Sequence, residues 1–267
     1  FEVSTRALIL ASNQQDGRHW LCISMHHIFA DRISMLSMAS QVKEMIANNH
    51  TRVAPPSTIS YIDYAFWQNK VTSRPEISGL QKALRASLQG AGLAGGLRIP
   101  QLASQEAFEL NHVPESSKLS QDEYLRLETV ARQLYTTLPL LMHALFSVLV
   151  ARLTGDKQAL LGNKDVLVCH TVSNRERSAS LGHMVGCLDT SVPTATRLTD
   201  SLTIKAWCLQ TRKAFAESYE RVSNIPRGQW LFQDVGKNDE KKWESLFECV
   251  PHINIIRSSR PDRKEIA

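Results

Sequence analysis

The chain has 267 residues, 43% of them hydrophobic and 21% charged, the composition of a globular protein able to bury one large core or two modest ones. Its formal net charge of +5 raises nucleic acid as a partner, but most basic residues alternate with apolar, small or acidic ones, as at Lys70, Arg74, Lys82, Arg85 and Lys241-Lys242. Only Arg257, Arg260, Arg263 and Lys264 are concentrated, with no aromatic residues between them to stack on bases, so no nucleic-acid partner is expected.

The first elements are short and apolar. Ala7–Ala11, a polar turn over Asn13–Gly17, and Trp20–Met25 predict a β-hairpin. From Arg32 to Asn49 the apolar residues Ile33, Leu36, Met38, Val42, Met45 and Ile46 recur at helical spacing, with Asp31 placed to cap the helix. After a Pro55-Pro56-Ser57 break, helices are expected over Ile59–Val71, carrying Tyr61, Tyr64, Phe66 and Trp67, and over Ile77–Gln89. Gly90–Gln105, with four glycines and Pro100, reads as a linker. Ser120 and Glu123 then form a capping-box pattern, and Leu138–Leu153 predicts an apolar helix buried on most sides. Val166–His170 reads as a buried strand, Val185–Val192 as another, Leu202–Tyr219 as an amphipathic helix and Val250–Ile256 as a last strand. Alternation of strands and helices on both sides of the linker predicts an α/β protein of two lobes, 1–112 and 113–267.

The cysteines Cys22, Cys169, Cys187, Cys208 and Cys249 are odd in number and show no CxxC spacing, which fits reduced core thiols and a cytoplasmic location. No stretch approaches the ~20 apolar residues of a membrane span, so no membrane partner is expected. No leader opens the chain, Phe1 is not an initiator, and the sequence reads as a piece of something longer.

Chemistry concentrates in Met25-His26-His27-Ile28-Phe29-Ala30-Asp31-Arg32, an HHxxxDR pattern between a strand and a helix. A histidine there can take a proton from an attacking amine or hydroxyl, or hold that nucleophile against a carbonyl. Neighbouring residues on a strand face opposite ways, so one histidine is expected to work and the other to pack. Asp31 is expected to cap the helix and pair with a distant arginine. A packing role for both histidines is the plain alternative. A metal is not expected: His27 and Asp31 are an isolated pair, and His112, His143, His170, His183 and His252 are dispersed, so ligands would have to converge in space. No GxSxG or distinctive cysteine context points to a nucleophile triad.

HHxxxD followed by Gly or Arg resembles the core motif of the condensation domains of nonribosomal peptide synthetases, in the chloramphenicol-acetyltransferase-like superfamily. Tyr61-Ile62-Asp63-Tyr64-Ala65-Phe66-Trp67-Gln68 is similar to the YxDYAxWQ motif that follows it in those domains. Looser likenesses run along the chain. Phe1–Ser4 resembles FDLS, Ala151–Gly155 resembles ARYTG, Val172–Arg177 resembles NR-x-R, Val185–Thr190 resembles IGxFVNT, and Trp243–Phe247 echoes NPLF. Two departures stand out: Arg32 replaces the usual glycine, and Asp189 stands where asparagine is preferred in a segment one residue short. The resemblance implies a two-lobed chloramphenicol-acetyltransferase-like architecture with mixed sheets and flanking helices, incomplete at both ends.

It also implies amide formation between a donor acyl or peptidyl thioester and an acceptor amine. Both would be held on the 4'-phosphopantetheine arms of carrier proteins in a multidomain synthetase, with no cofactor bound to the domain itself. His27 would be catalytic, with His26, Asp31, Arg32 and Arg175 or Arg177 shaping the site and Tyr61, Asp63, Trp67 and Gln68 supporting it or its channel. Related alternatives are an ester-forming or coenzyme-A-dependent acyltransferase and a non-catalytic docking domain; an epimerisation domain would need an EGHGRE-type motif that is not present.

Overall fold

The computed structural model describes residues 5–11, 19–48, 59–72, 74–89, 119–153, 165–199, 202–223, 225 and 252–253. Their contacts divide the chain into two compact units, one of residues 1–73 with 172–190, the other of 74–171 with 191–267. The lobe boundary expected at residue 112, the 90–105 linker and the segments at 1–4, 154–155 and 243–247 lie outside the described residues.

In the first unit, β1 (Thr5–Ala11) and β2 (His19–Met25) form the expected antiparallel hairpin, in register from Thr5 opposite Met25 to Ala11 opposite His19. Helix α1 runs Arg32–Ala47 and begins where the sequence places its cap, the Asp31 side chain accepting from Ser34 N. Its apolar residues are less covered than an amphipathic reading implies: only Ser34 is fully buried, and Leu36, Met45 and Ile46 are exposed. Helix α2 (Tyr61–Thr72) starts on a second capping arrangement, Ser60 with Asp63. It packs Tyr64, supported by Tyr61, against Leu181, Met184 and Leu188. Those three come from the 172–190 segment, which contains two single turns of 3-10 helix, Asn174–Arg177 and Ala179–Leu181.

The second unit is built on helices α3 (Pro75–Gln89), α4 (Gln121–Gln133), α5 (Leu138–Leu153) and α6 (Ile204–Val222). Helices α3 and α5 both pack on α6, and α4 packs on α5. The Ser120–Glu123 capping box starts α4 as expected. Its end has no glycine. Tyr135 adopts φ 57°, so that Tyr135 N donates to Arg132 O and Thr136 N to Ala131 O, a Schellman closure. Arg212 Nη1 donates to Tyr135 O at 2.6 Å and Lys205 Nζ lies 4.4 Å from the Tyr135 ring centre, two contacts that support this left-handed residue. Helix α5 has the predicted span but not the predicted all-round burial. Leu138, Leu141, Ala144, Val150 and Ala151 face the core, whereas Leu145, Leu149 and Leu153, spaced by four, form an exposed stripe.

A three-stranded sheet in the order β4-β3-β5 joins β3 (Asp165–Ser173), β4 (Asp189–Arg197) and β5 (His252–Ile253), with β5 parallel to β3. The run Val166–His170 in β3 is wholly buried, as its unbroken apolar pattern predicts. The strand expected over Val185–Val192 instead begins at Asp189, because Leu188 is drawn into the core around Tyr64 and residues 182–188 form a loop. No single helix among the described residues is long and apolar enough to cross a membrane.

One buried feature predicts a pH response. His143 on α5 and His170 on β3 stack with ring centres 5.7 Å apart beside Phe215, and neither ring nitrogen of His143 has a hydrogen-bond partner among the described residues. Burial, aided by the charge His170 would carry, pushes the His143 imidazole down from 6.5 to about 4. An unfolded chain therefore takes up this proton near pH 6.5 while the folded one resists until about pH 4, so stability falls as pH falls through that window. A shift of this size is worth roughly 3 kcal/mol. Urea midpoints at pH 7 and 4.5 are expected to differ accordingly, and His143→Leu to flatten the slope; an equal slope in that variant would sink the assignment.

Candidate active site

The site is assembled within the first unit, on the turn after β2, the start of α1 and the 172–190 segment. Strand β2 ends at Met25, so the histidines lie on a turn rather than on the strand, and no strand alternation separates them. The turn closes with Phe29 N donating to His26 O at 3.0 Å and Ile28 N to His26 Nδ1 at 3.2 Å. His26 is thus bonded into its own backbone, while His27 stands exposed with its Nδ1 3.6 Å from Cys187 Sγ.

Beneath the turn, Asp31 and Arg175 form a buried ion pair across 144 residues of sequence, with Arg175 Nη2 at 2.7 Å from Oδ1 and 2.9 Å from Oδ2. The guanidinium also donates to Ser34 Oγ, to Gly186 O, and through Nη1 to Leu181 O and Met184 O. Asp31 accepts from Ser34 N, Ser34 Oγ and Leu188 N. Burial alone would raise the Asp31 carboxyl; the bonds from Ser34 and Leu188 and the Arg175 guanidinium outweigh it and hold it below the usual carboxylate range. The pair is a scaffold, because both partners are held by several bonds each and buried away from solvent.

Ser34 and Gly186 complete the scaffold. Gly186 N donates to Ser34 Oγ at 2.9 Å, and the Ser34 hydroxyl lies 2.8 Å from both Gly186 O and Asp31 Oδ1. Gly186 sits flat against Tyr61: a Cβ there would overlap Cγ and Cδ2 of the ring, whose hydroxyl donates to Cys187 O at 3.2 Å. Gly186→Ala is expected to lose about 1–3 kcal/mol by overpacking. In a double variant with Tyr61→Ala the loss should be smaller than the sum, as read from thermal midpoints.

The other residues singled out from the sequence are dispersed around this centre. Arg32 is the exposed first residue of α1. Arg177 is exposed near Tyr64, whose phenol burial pushes up and Arg177 partly draws back. Asp63 caps α2 through Ser60 N and Oγ, and those bonds hold its carboxyl below the usual range. Tyr61, Tyr64 and Trp67 follow one another at ring separations of 6.3 and 5.7 Å, Trp67 half-exposed and Gln68 half-buried. The structure adds Ser34, Gly186 and Cys187 to the residues expected from the sequence. Ser34, at the third position of the Asp31-capped helix, was the one with a local signal. No group of three or more His, Cys, Asp or Glu able to hold a metal occurs among the described residues.

Comparison with known proteins identifies the family. A family model described as "Condensation domain" matches residues 1–257. The chain belongs to the condensation-domain family. A plipastatin synthase of Bacillus subtilis is 24% identical over 247 residues, which are 91% of this chain and 6% of that protein. Among solved structures, a condensation domain that mediates chain release from the enacyloxin polyketide synthase superposes with a TM-score of 0.70 at 18% identity, covering 97% of this chain and 47% of that one. The first condensation domain of the calcium-dependent antibiotic synthetase, in complex with a substrate analogue, gives a TM-score of 0.67 at 15% identity, covering 92% and 52%. The chain therefore spans about half the length of these solved relatives, and its fold is the chloramphenicol-acetyltransferase-like one expected from the sequence. It is a condensation domain of the kind found in nonribosomal peptide synthetases.

Proposed function

We propose that this condensation domain joins an acyl or peptidyl thioester to an amine, both delivered on the phosphopantetheine arms of carrier proteins within a multidomain cytoplasmic synthetase, and that His27 is its catalytic residue. The observation that carries the reading is the division of labour in the HHxxxDR segment. His26 accepts from Ile28 N within the turn and Asp31 is held in a buried ion pair, while the exposed His27 makes neither of these contacts and brings its ring to Cys187. In the reaction the amine nitrogen attacks the thioester carbonyl, the C–N bond forms, and the C–S bond breaks to release the carrier thiol. His27 orients the amine or accepts its proton. Because a thioester is already activated, positioning supplies much of the acceleration.

Arg32, the exposed first residue of α1, stands in place of the family's glycine and is read as shaping the site. The test is His27→Ala in a condensation assay with loaded donor and acceptor carriers. Product should fall sharply, and undiminished product would remove His27 from the catalytic role. No product from the unaltered protein would favour a docking domain, and product only with an alcohol acceptor would favour an ester-forming enzyme.

A further inference from the structure

We propose that Cys187 is a positioning residue for His27: its thiol holds ring nitrogen Nδ1 and so leaves Nε2 as the nitrogen offered to the nucleophile. The inference rests on the reading of His27 as the acting residue. It starts from the 3.6 Å separation between Sγ and Nδ1, a hydrogen-bond distance for the larger sulfur atom. The two partners differ in how firmly they are held. His27 is on an exposed turn, whereas the backbone carrying Cys187 is fastened on both sides and at its own carbonyl. Gly186 bonds to Ser34 Oγ through both N and O, Leu188 N donates to Asp31 Oδ2, and Tyr61 Oη donates to Cys187 O. The fixed group orients the looser one.

A thiol suits this task in a way a carboxylate does not. Its sulfur is a weak acceptor, so it can take the Nδ1–H that the ring carries both when Nε2 is bare and when Nε2 is protonated. The ring keeps its orientation while Nε2 gains and loses a proton, and no fixed charge is placed behind it. Partners behind a working histidine commonly set its tautomer, and removing them from metal-bound histidines costs roughly 10- to 100-fold in activity.

The test reads His27 itself, by 15N NMR of the histidine ring nitrogens across pH. Cys187→Ala is expected to change the Nδ1 and Nε2 shifts of His27 and its titration midpoint, and Cys187→Ser to restore most of the wild-type pattern. Cys187→Asp should move the midpoint up relative to wild type, since a carboxylate favours the charged ring. In the condensation assay Cys187→Ala should lower kcat by roughly 10- to 100-fold with little change in KM. Identical His27 shifts and midpoint in Cys187→Ala would overturn the proposal.

Should that variant not fold, alkylation of Cys187 by iodoacetamide in the unaltered protein, followed by peptide mass, serves instead. Its pH profile should carry an inflection that disappears in His27→Asn, and an unchanged profile would overturn the proposal. The NMR readout needs no turnover. A protein that makes no amide but whose His27 still responds to Cys187 would refute the functional reading and support the positioning one.

Discussion

Arg175→Ala is expected to destabilise the protein by about 3–5 kcal/mol, the cost of leaving a buried carboxylate without its counter-charge. Asp31 is 1% exposed, so in the folded protein its charge is met by the guanidinium and not by bulk solvent. The loss extends beyond the ion pair. The same guanidinium ties down the carbonyls of Leu181, Met184 and Gly186, so its removal frees the loop that frames the site. Arg175→Lys should recover little, because one ammonium with three donors cannot reproduce a planar fork serving five acceptor groups. The double variant Asp31→Ala/Arg175→Ala should lose less than the two single losses added, since the first change already strands the second partner. Urea unfolding at pH 7 measures all three. A loss below about 1 kcal/mol for Arg175→Ala, the value of a surface pair, would show that the pair carries no structural weight.

His27→Ala, four residues before Asp31, is expected to fail in the opposite way. Its side chain is exposed, so stability should stay within about 0.5 kcal/mol of the parent. The rate of amide formation should fall roughly 10²- to 10⁴-fold if His27 moves the amine proton. A much smaller fall with a flattened dependence on pH would assign it to orientation alone. Circular dichroism and unfolding of the same preparation separate a lost function from a lost fold.

The contrast follows what the sequence carries and what it does not. Local signals were legible: the hairpin, the Asp31 cap of α1, the Ser120–Glu123 box and the limits of α5 all depend on residues within one or two turns of each other. Strand β4 was not, because its segment DTSVPTATR is polar and holds a proline, and its threonines Thr190, Thr194 and Thr196 are buried without apolar alternation to announce it. Nearby, Leu188 looked like a strand residue but serves the packing around Tyr64. At the site, the residues alone imply a distant arginine for Asp31 and the family resemblance narrows it to Arg175 or Arg177; geometry distinguishes them, one buried in the pair and the other exposed. Ser34, Gly186 and Cys187 act through contacts 141 to 160 residues away, which no periodicity encodes.

The span of those contacts also sets when the site can exist. During synthesis the His26–His27 turn leaves the ribosome long before Arg175, Gly186 and Leu188 are made, and until then Asp31 has neither counter-charge nor its distant amide donor. A nascent chain halted before Arg175 should therefore hold an unpaired Asp31, however well its hairpin and histidine turn close locally. In this protein the surroundings of Asp31 are completed by a segment about 150 positions later.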